Sequence, residues 1–136
     1  MILFYEKSDF KLKDKLMIKV WIQNTCEKEN KKLGDLSFIF CDQKSFLKKN
    51  IKYLNHNTMS DVITFDYSSK EKISGDIFIN IDCIVLNAKK FNTPFMTEFY
   101  RVMIHGVLHL IGYNDKSDSE KLKMREKEDI YLSEIT

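Results

Sequence analysis

The stretch from Thr97 to Ile111, TEFYRVMIHGVLHLI, is the most apolar part of a chain of 136 residues. A run of this length and composition predicts a helix that needs cover on most of its sides. It is far too short to span a bilayer. The chain holds only three histidines, and two of them, His105 and His109, lie within this run, four residues apart. The next landmark is Gly112, at the end of the apolar periodicity, and Tyr113, Asn114 and Asp115 follow it.

The remaining pattern supplies the elements that surround that helix. ILFYEK near the start is rich in strand-forming residues and predicts a short strand. From about Lys11 to Lys31 the pattern is helical, with Leu12, Leu16 and Val20 as the apolar stripe and Met17 and Trp21 widening it. Gly34 marks the stop, and LSFIFCD follows as a strand that reads as buried on both faces. A second helix is expected over Gln43 to Leu54, with Phe46, Leu47, Ile51 and Leu54 on its apolar side. DVITFDY and ISGDIFINI, separated by the polar SSKEK, predict an antiparallel hairpin. IDCIVLNAKKF reads as a helix ending before Pro94, and Ser117 with Glu120 supplies a capping box for a last, more polar one. The order β-α-β-α-β-β-α-α-α predicts one α+β domain over residues 1–136, a mixed four-stranded sheet packed with about five helices.

Composition narrows the function classes. At 43% hydrophobic and 31% charged residues the chain has the balance of an ordinary globular protein large enough to bury its own core. MILFYEKSDF has neither the basic start nor the cleavage site of a signal peptide. Cys26, Cys41 and Cys83 are odd in number and widely spaced, which points to buried free thiols in a reducing cytoplasm. The net charge of +2 says nothing by itself about nucleic acid. Lys44, Lys48, Lys49 and Lys52 share one face of the second helix, read either as a solvated face or as a phosphate-binding edge.

On a helix, residues four apart project the same way, so His105 and His109 form a pair. Glycine at position 112 suits a left-handed turn back across the helix end, which brings Asp115 round towards the two imidazoles. The pattern H-x-x-x-H-x-x-G-x-x-D has the spacing of the metzincin run, with aspartate as third ligand. Two imidazoles and one carboxylate with an open fourth position is a common catalytic zinc arrangement. The alternative is a pair of core histidines satisfied by backbone carbonyls. The residue after His105 argues against a peptidase, because the general base of that class is a glutamate there and this chain has Gly106.

HGVLHLIGYND, matching from His105 through Tyr113, resembles the H-G-x-L-H-L-x-G-Y-D-H hallmark of the YbeY endoribonucleases, or rRNA maturation factors. SDVITFDY, SGDIFIN and KLKMREKED resemble further segments of that family in the same order, so the resemblance covers roughly residues 35 to 130. Two departures stand out. Asp115 takes the place of the usual third histidine, which shifts metal preference towards harder ions while zinc remains the default. The stretch LNHNTMSDV lacks the arginine most relatives carry there. His56, the third histidine, is the candidate to take over part of that role, contacting phosphate as a cation or shuttling a proton when neutral. Asp61 is a weaker catalytic candidate, with backbone hydrogen bonding at the strand start as its simpler role.

The resemblance implies a cytoplasmic endonuclease that uses one divalent ion, zinc by default, held by His105, His109 and Asp115. Its substrate would be single-stranded RNA, cut during small-subunit ribosomal RNA maturation and ribosome quality control. Lys48, Lys49, Lys52, Lys89 and Lys90 are the candidates for guiding the RNA backbone, and Tyr53, Tyr67 and Tyr113 for stacking bases. Ribosome or small-subunit proteins would be partners. Two alternatives are an assembly factor with a structural metal and a metal-dependent hydrolase of another bond, such as an amide.

Overall fold

The computed structural model describes residues 1–54 and 60–135, with the backbone alone over 49–54. Its elements are β1 (Ile2–Lys7), α1 (Lys15–Lys28), β2 (Lys32–Cys41), α2 (Gln43–Leu54), β3 (Val62–Asp66), β4 (Lys72–Asn80), α3 (Ile81–Lys90), α4 (Phe95–Ile111) and α5 (Asp118–Leu132). The sheet order is β1-β2-β4-β3. β1, β2 and β4 run parallel, and β3 returns antiparallel on β4 as the expected hairpin. The fold is thus the α+β domain read from the sequence, a mixed four-stranded sheet with five helices.

Alternation along the strands divides the core. Leu36, Phe38 and Phe40 of β2, with Ile77 and Ile79 of β4, point to the large core shared with α1, α3, α4 and α5. Cys41, Ile63 and Phe46 form a smaller cluster under α2, with Ile39, Phe65 and Phe78 packed on it. β2 is therefore fully buried on one face only, because α2 covers just part of the other. All three cysteines are buried. Among the described residues no helix is long and apolar enough to cross a membrane.

The first helix departs from its sequence reading. It starts at Lys15 and buries Ile18, Trp21, Ile22, Thr25 and Cys26. Leu16, at 76% exposed, and Met17 and Val20 face outwards, while Leu12 is buried ahead of the helix. Apolar residues lie around most of this helix, so two stripes compete. The one that wins places Trp21 where its indole N–H donates to the Tyr131 carbonyl at 2.8 Å. Nor does Gly34 stop the helix. The chain turns at Asn30, with φ of 59°, and Gly34 lies inside β2 at a register irregularity. A side chain at Gly34 would come within 2.2 Å of Ser74 Oγ and 2.7 Å of the Ile73 carbonyl.

α4 begins directly after Pro94 and lies between the sheet and α5. Its burial is so complete that Gly106 has no room for a side chain: a Cβ there would meet Ile77 Cγ2 at 2.9 Å. α5 opens with the expected capping box between Ser117 and Glu120.

One half-buried carboxylate ties α1, α5 and the turn after α4 together. Glu29 accepts hydrogen bonds from the Tyr113 hydroxyl at 2.5 Å, from Lys127 Nζ at 3.1 Å and from the Tyr131 hydroxyl. Burial alone would raise its pKa, but the bonds from Tyr113, Tyr131 and Lys127 outweigh that and hold it below the ordinary value of 4.5. A folded-state pKa below the unfolded one stabilises the fold above the unfolded value, and that gain is lost as pH falls through the folded pKa. Glu29→Gln is therefore expected to cost about 1–3 kcal/mol at neutral pH. Urea unfolding of both chains should show the gap narrowing below pH 4.5.

Candidate metal centre

His105 and His109 are half-buried positions on a helix whose neighbours Ile104, Gly106, Val107, Leu108 and Leu110 are all buried. Both border a cleft of about 170 Å³, lined also by Val62 and Thr64 of β3 and by Asp115. The turn that delivers Asp115 follows the sequence reading. Gly112 has φ of 128°, and its N–H reaches the carbonyls of Leu108 and His109 at 3.1 and 3.2 Å. The Tyr113 N–H returns to Leu108 at 3.0 Å. Glu29 then fixes the Tyr113 ring, so the turn is anchored at both ends.

The His105 ring is held on both sides. Nδ1 lies 2.7 Å from Glu128 Oε2 and Nε2 lies 3.3 Å from Asp115 Oδ2. A carboxylate can only accept, so Nδ1 carries the hydrogen and Nε2 faces Asp115 across the cleft. Burial lowers the pKa of this imidazole, but the bond and charge of Glu128, with Asp115 and Asp61 behind them, bring it above the ordinary 6.5. Glu128 is itself buried, its other oxygen accepting from Arg101 Nη1 at 2.9 Å, and Arg101 Nη2 reaches Asp129 at 2.9 Å.

This donor set suits a divalent ion. A ligating imidazole donates its other ring N–H to a carboxylate, a backbone carbonyl or water, and Glu128 is such a partner for His105. Two donors about 2.0–2.1 Å from one tetrahedral ion stand roughly 3.3 Å apart, the separation found between His105 Nε2 and Asp115 Oδ2. His109 opens onto the same cleft, although among the described residues no three such donors have converged on one point.

The other sequence candidates fall in several places. Asp61 lines an adjoining pocket with His105, Asp115 and Glu128, and its carbonyl accepts from the Asn80 N–H at 2.9 Å. Burial chiefly raises its carboxyl pKa, His105 opposing. Lys48, Lys89 and Lys90 are exposed, whereas His56 and the side chains of Lys49, Lys52, Tyr53, Ile51 and Leu54 lie outside the described residues. Tyr67 is exposed with its hydroxyl 3.3 Å from Asp76. Tyr113 is engaged by Glu29 and lies under Lys127, so its ring is committed to holding the turn.

Glu128, Arg101 and Glu29 were not singled out by the sequence. Glu128 did leave a signal: it occupies the buried stripe of α5 with Met124, Tyr131 and Leu132. A carboxylate in such a stripe calls for a buried partner.

Fold and cleft together define the class: an α+β domain with imidazole and carboxylate groups gathered where a helix meets a sheet edge. Comparison with known proteins makes this specific. The model of the family described as endoribonuclease YbeY matches residues 4–136. Relatives of that name are 47% identical in Flavobacterium psychrophilum, covering 95% of this chain and 92% of the relative. In Karelsulcia muelleri the figures are 48%, 97% and 94%. The solution structure of a Thermotoga maritima protein superposes with a TM-score of 0.73 at 26% identity, covering 99% of this chain and 89% of that one. The chain belongs to the endoribonuclease YbeY family, whose members are hydrolases of RNA phosphodiester bonds.

Proposed function

We propose that the chain is a cytoplasmic endoribonuclease that cuts single-stranded RNA in small-subunit ribosomal RNA maturation and quality control. His105, His109 and Asp115 hold one divalent ion, zinc by default. The observation that carries this reading is the His105 ring, tied by Glu128 on Nδ1 and turned with Nε2 to Asp115 in a cleft shared with His109.

When bound, such an ion polarises a phosphoryl oxygen and lowers the pKa of a water at its open position. The chain's own groups do the rest. Glu128 keeps the hydrogen of His105 on Nδ1, leaving Nε2 free to ligate. Asp61, half-buried on the wall of the adjoining pocket, is assigned to proton transfer, and His56 to phosphate contact or proton shuttling. Lys48, Lys49, Lys52, Lys89 and Lys90 draw in the RNA backbone, and small-subunit ribosomal proteins are the expected partners.

The activity is tested by removing the ion. A chelator is expected to abolish cleavage of a single-stranded RNA oligomer, added zinc or another divalent ion to restore it, and a duplex of the same sequence to be cut far more slowly. A parent chain that holds its ion tightly and cuts nothing would make it an assembly factor instead.

A further inference from the structure

Of the 22 basic side chains only two are arginines, Arg101 and Arg125. Both border one pocket of about 280 Å³, and that pocket shares His105 and Asp115 with the candidate metal cleft. The two groups are bound very differently. Arg101, at 17% exposed, is spent on Glu128 and Asp129 at 2.9 Å each and holds the carboxylate that orients His105. Arg125 sits one helical turn before Glu128 and is 62% exposed. Among the described residues its contact with a carboxylate is 4.0 Å from Glu128 Oε1, an oxygen that Arg101 already occupies at 2.9 Å. At that distance its fork of donors is not consumed by a hydrogen bond.

A planar guanidinium presents two parallel N–H groups that match two phosphoryl oxygens, and it keeps its charge at every working pH. We propose that Arg125 forms a phosphate subsite beside the metal centre, gripping a phosphodiester next to the scissile one on the same RNA strand. This rests on the endoribonuclease reading. The arrangement of the two hollows supports the adjoining phosphate. The scissile group belongs in the hollow with His109, and Arg125 lines the adjoining hollow, which shares His105 and Asp115 with it. Asp61 and Glu98 also line the Arg125 pocket. With Asp115 and Glu128 they repel any phosphate, so binding at Arg125 depends on a strand already held at the centre.

The test compares the parent with Arg125→Gln, Arg125→Lys and, as an exposed control on the same helix, Lys123→Gln. For a single-stranded RNA oligomer, Arg125→Gln is expected to raise KM about tenfold with kcat little changed. The slope of log kcat/KM against log salt should become shallower by about 0.7, one phosphate contact on a single strand. Metal content and melting temperature should stay at the parent's values. Arg125→Lys should recover part of the loss, and Lys123→Gln should match the parent. On a dinucleotide, which has no adjoining phosphodiester, parent and Arg125→Gln should be alike. The proposal is overturned if Arg125→Gln keeps the parent's KM and salt slope, if Lys123→Gln shows the same loss, or if the defect persists on the dinucleotide. A parent that cuts no RNA overturns the endoribonuclease reading as well, whereas a working parent with an unaffected variant overturns this inference alone.

Discussion

Replacing Glu128 with glutamine is expected to weaken binding of the divalent ion by about 10–100-fold and to cost about 3 kcal/mol of stability. The carboxylate is buried between the Arg101 guanidinium at 2.9 Å and the His105 imidazole at 2.7 Å. Glutamine keeps the shape but carries no charge, and its amide offers one acceptor where two are needed. Arg101 retains Asp129, so the cost stays at the lower end of that for breaking a buried pair. The part carried by His105 has a definite pH sign in the metal-free chain. Its folded pKa lies above 6.5, so that part is fully present below 6.5 and is lost as pH rises through the folded value. Ion titration and urea unfolding of the metal-free variant check both effects. An unchanged ion affinity would remove Glu128 from the centre.

Gly106→Glu is expected to destabilise the chain by more than about 4 kcal/mol and to leave no soluble, folded product. This substitution would write the peptidase glutamate into the motif. The position cannot take it, because a Cβ at Gly106 would already lie 2.9 Å from Ile77 Cγ2 and 3.3 Å from Cδ1, and Ile77 is fully buried. Overpacking of that kind costs about 1–3 kcal/mol before any polar atom is added. The carboxyl would then enter an apolar wall without a partner. Gly106→Ala isolates the first effect and should unfold at a lower urea concentration while remaining folded in buffer. A stable Gly106→Glu chain would show that this packing is not what excludes the residue, and peptidase chemistry would have to be assayed on it.

Short-range chemistry makes much of this site legible in the amino-acid sequence. The four-residue spacing of the histidines, the glycine turn and the capping box each depend on neighbours a few residues away, and the fold contains all three. The hairpin and the second helix are equally local. Features that depend on distant partners are not legible in this way. The buried face of α1 is chosen by Trp21 meeting Tyr131, 110 residues away. Gly34 is explained by Ser74 on the neighbouring strand, not by a helix end. Glu128 reaches His105 across 23 residues, and nothing in KLKMREKED reveals that contact beyond a carboxylate in an apolar stripe. The parallel order β1-β2-β4 likewise depends on long connections whose pairing no periodicity encodes.

The measurement that bears most directly on the central claim is cleavage of a single-stranded RNA oligomer by the purified chain, beside Asp115→Ala prepared identically and shown to be folded. Asp115 is partly exposed on an anchored turn, so its loss should leave the fold intact. The account predicts that the parent cuts, that the variant does not, and that the variant binds the divalent ion far more weakly. Equal cutting by both would mean that the carboxylate is no part of a working centre, and the assignment of His105, His109 and Asp115 would be wrong.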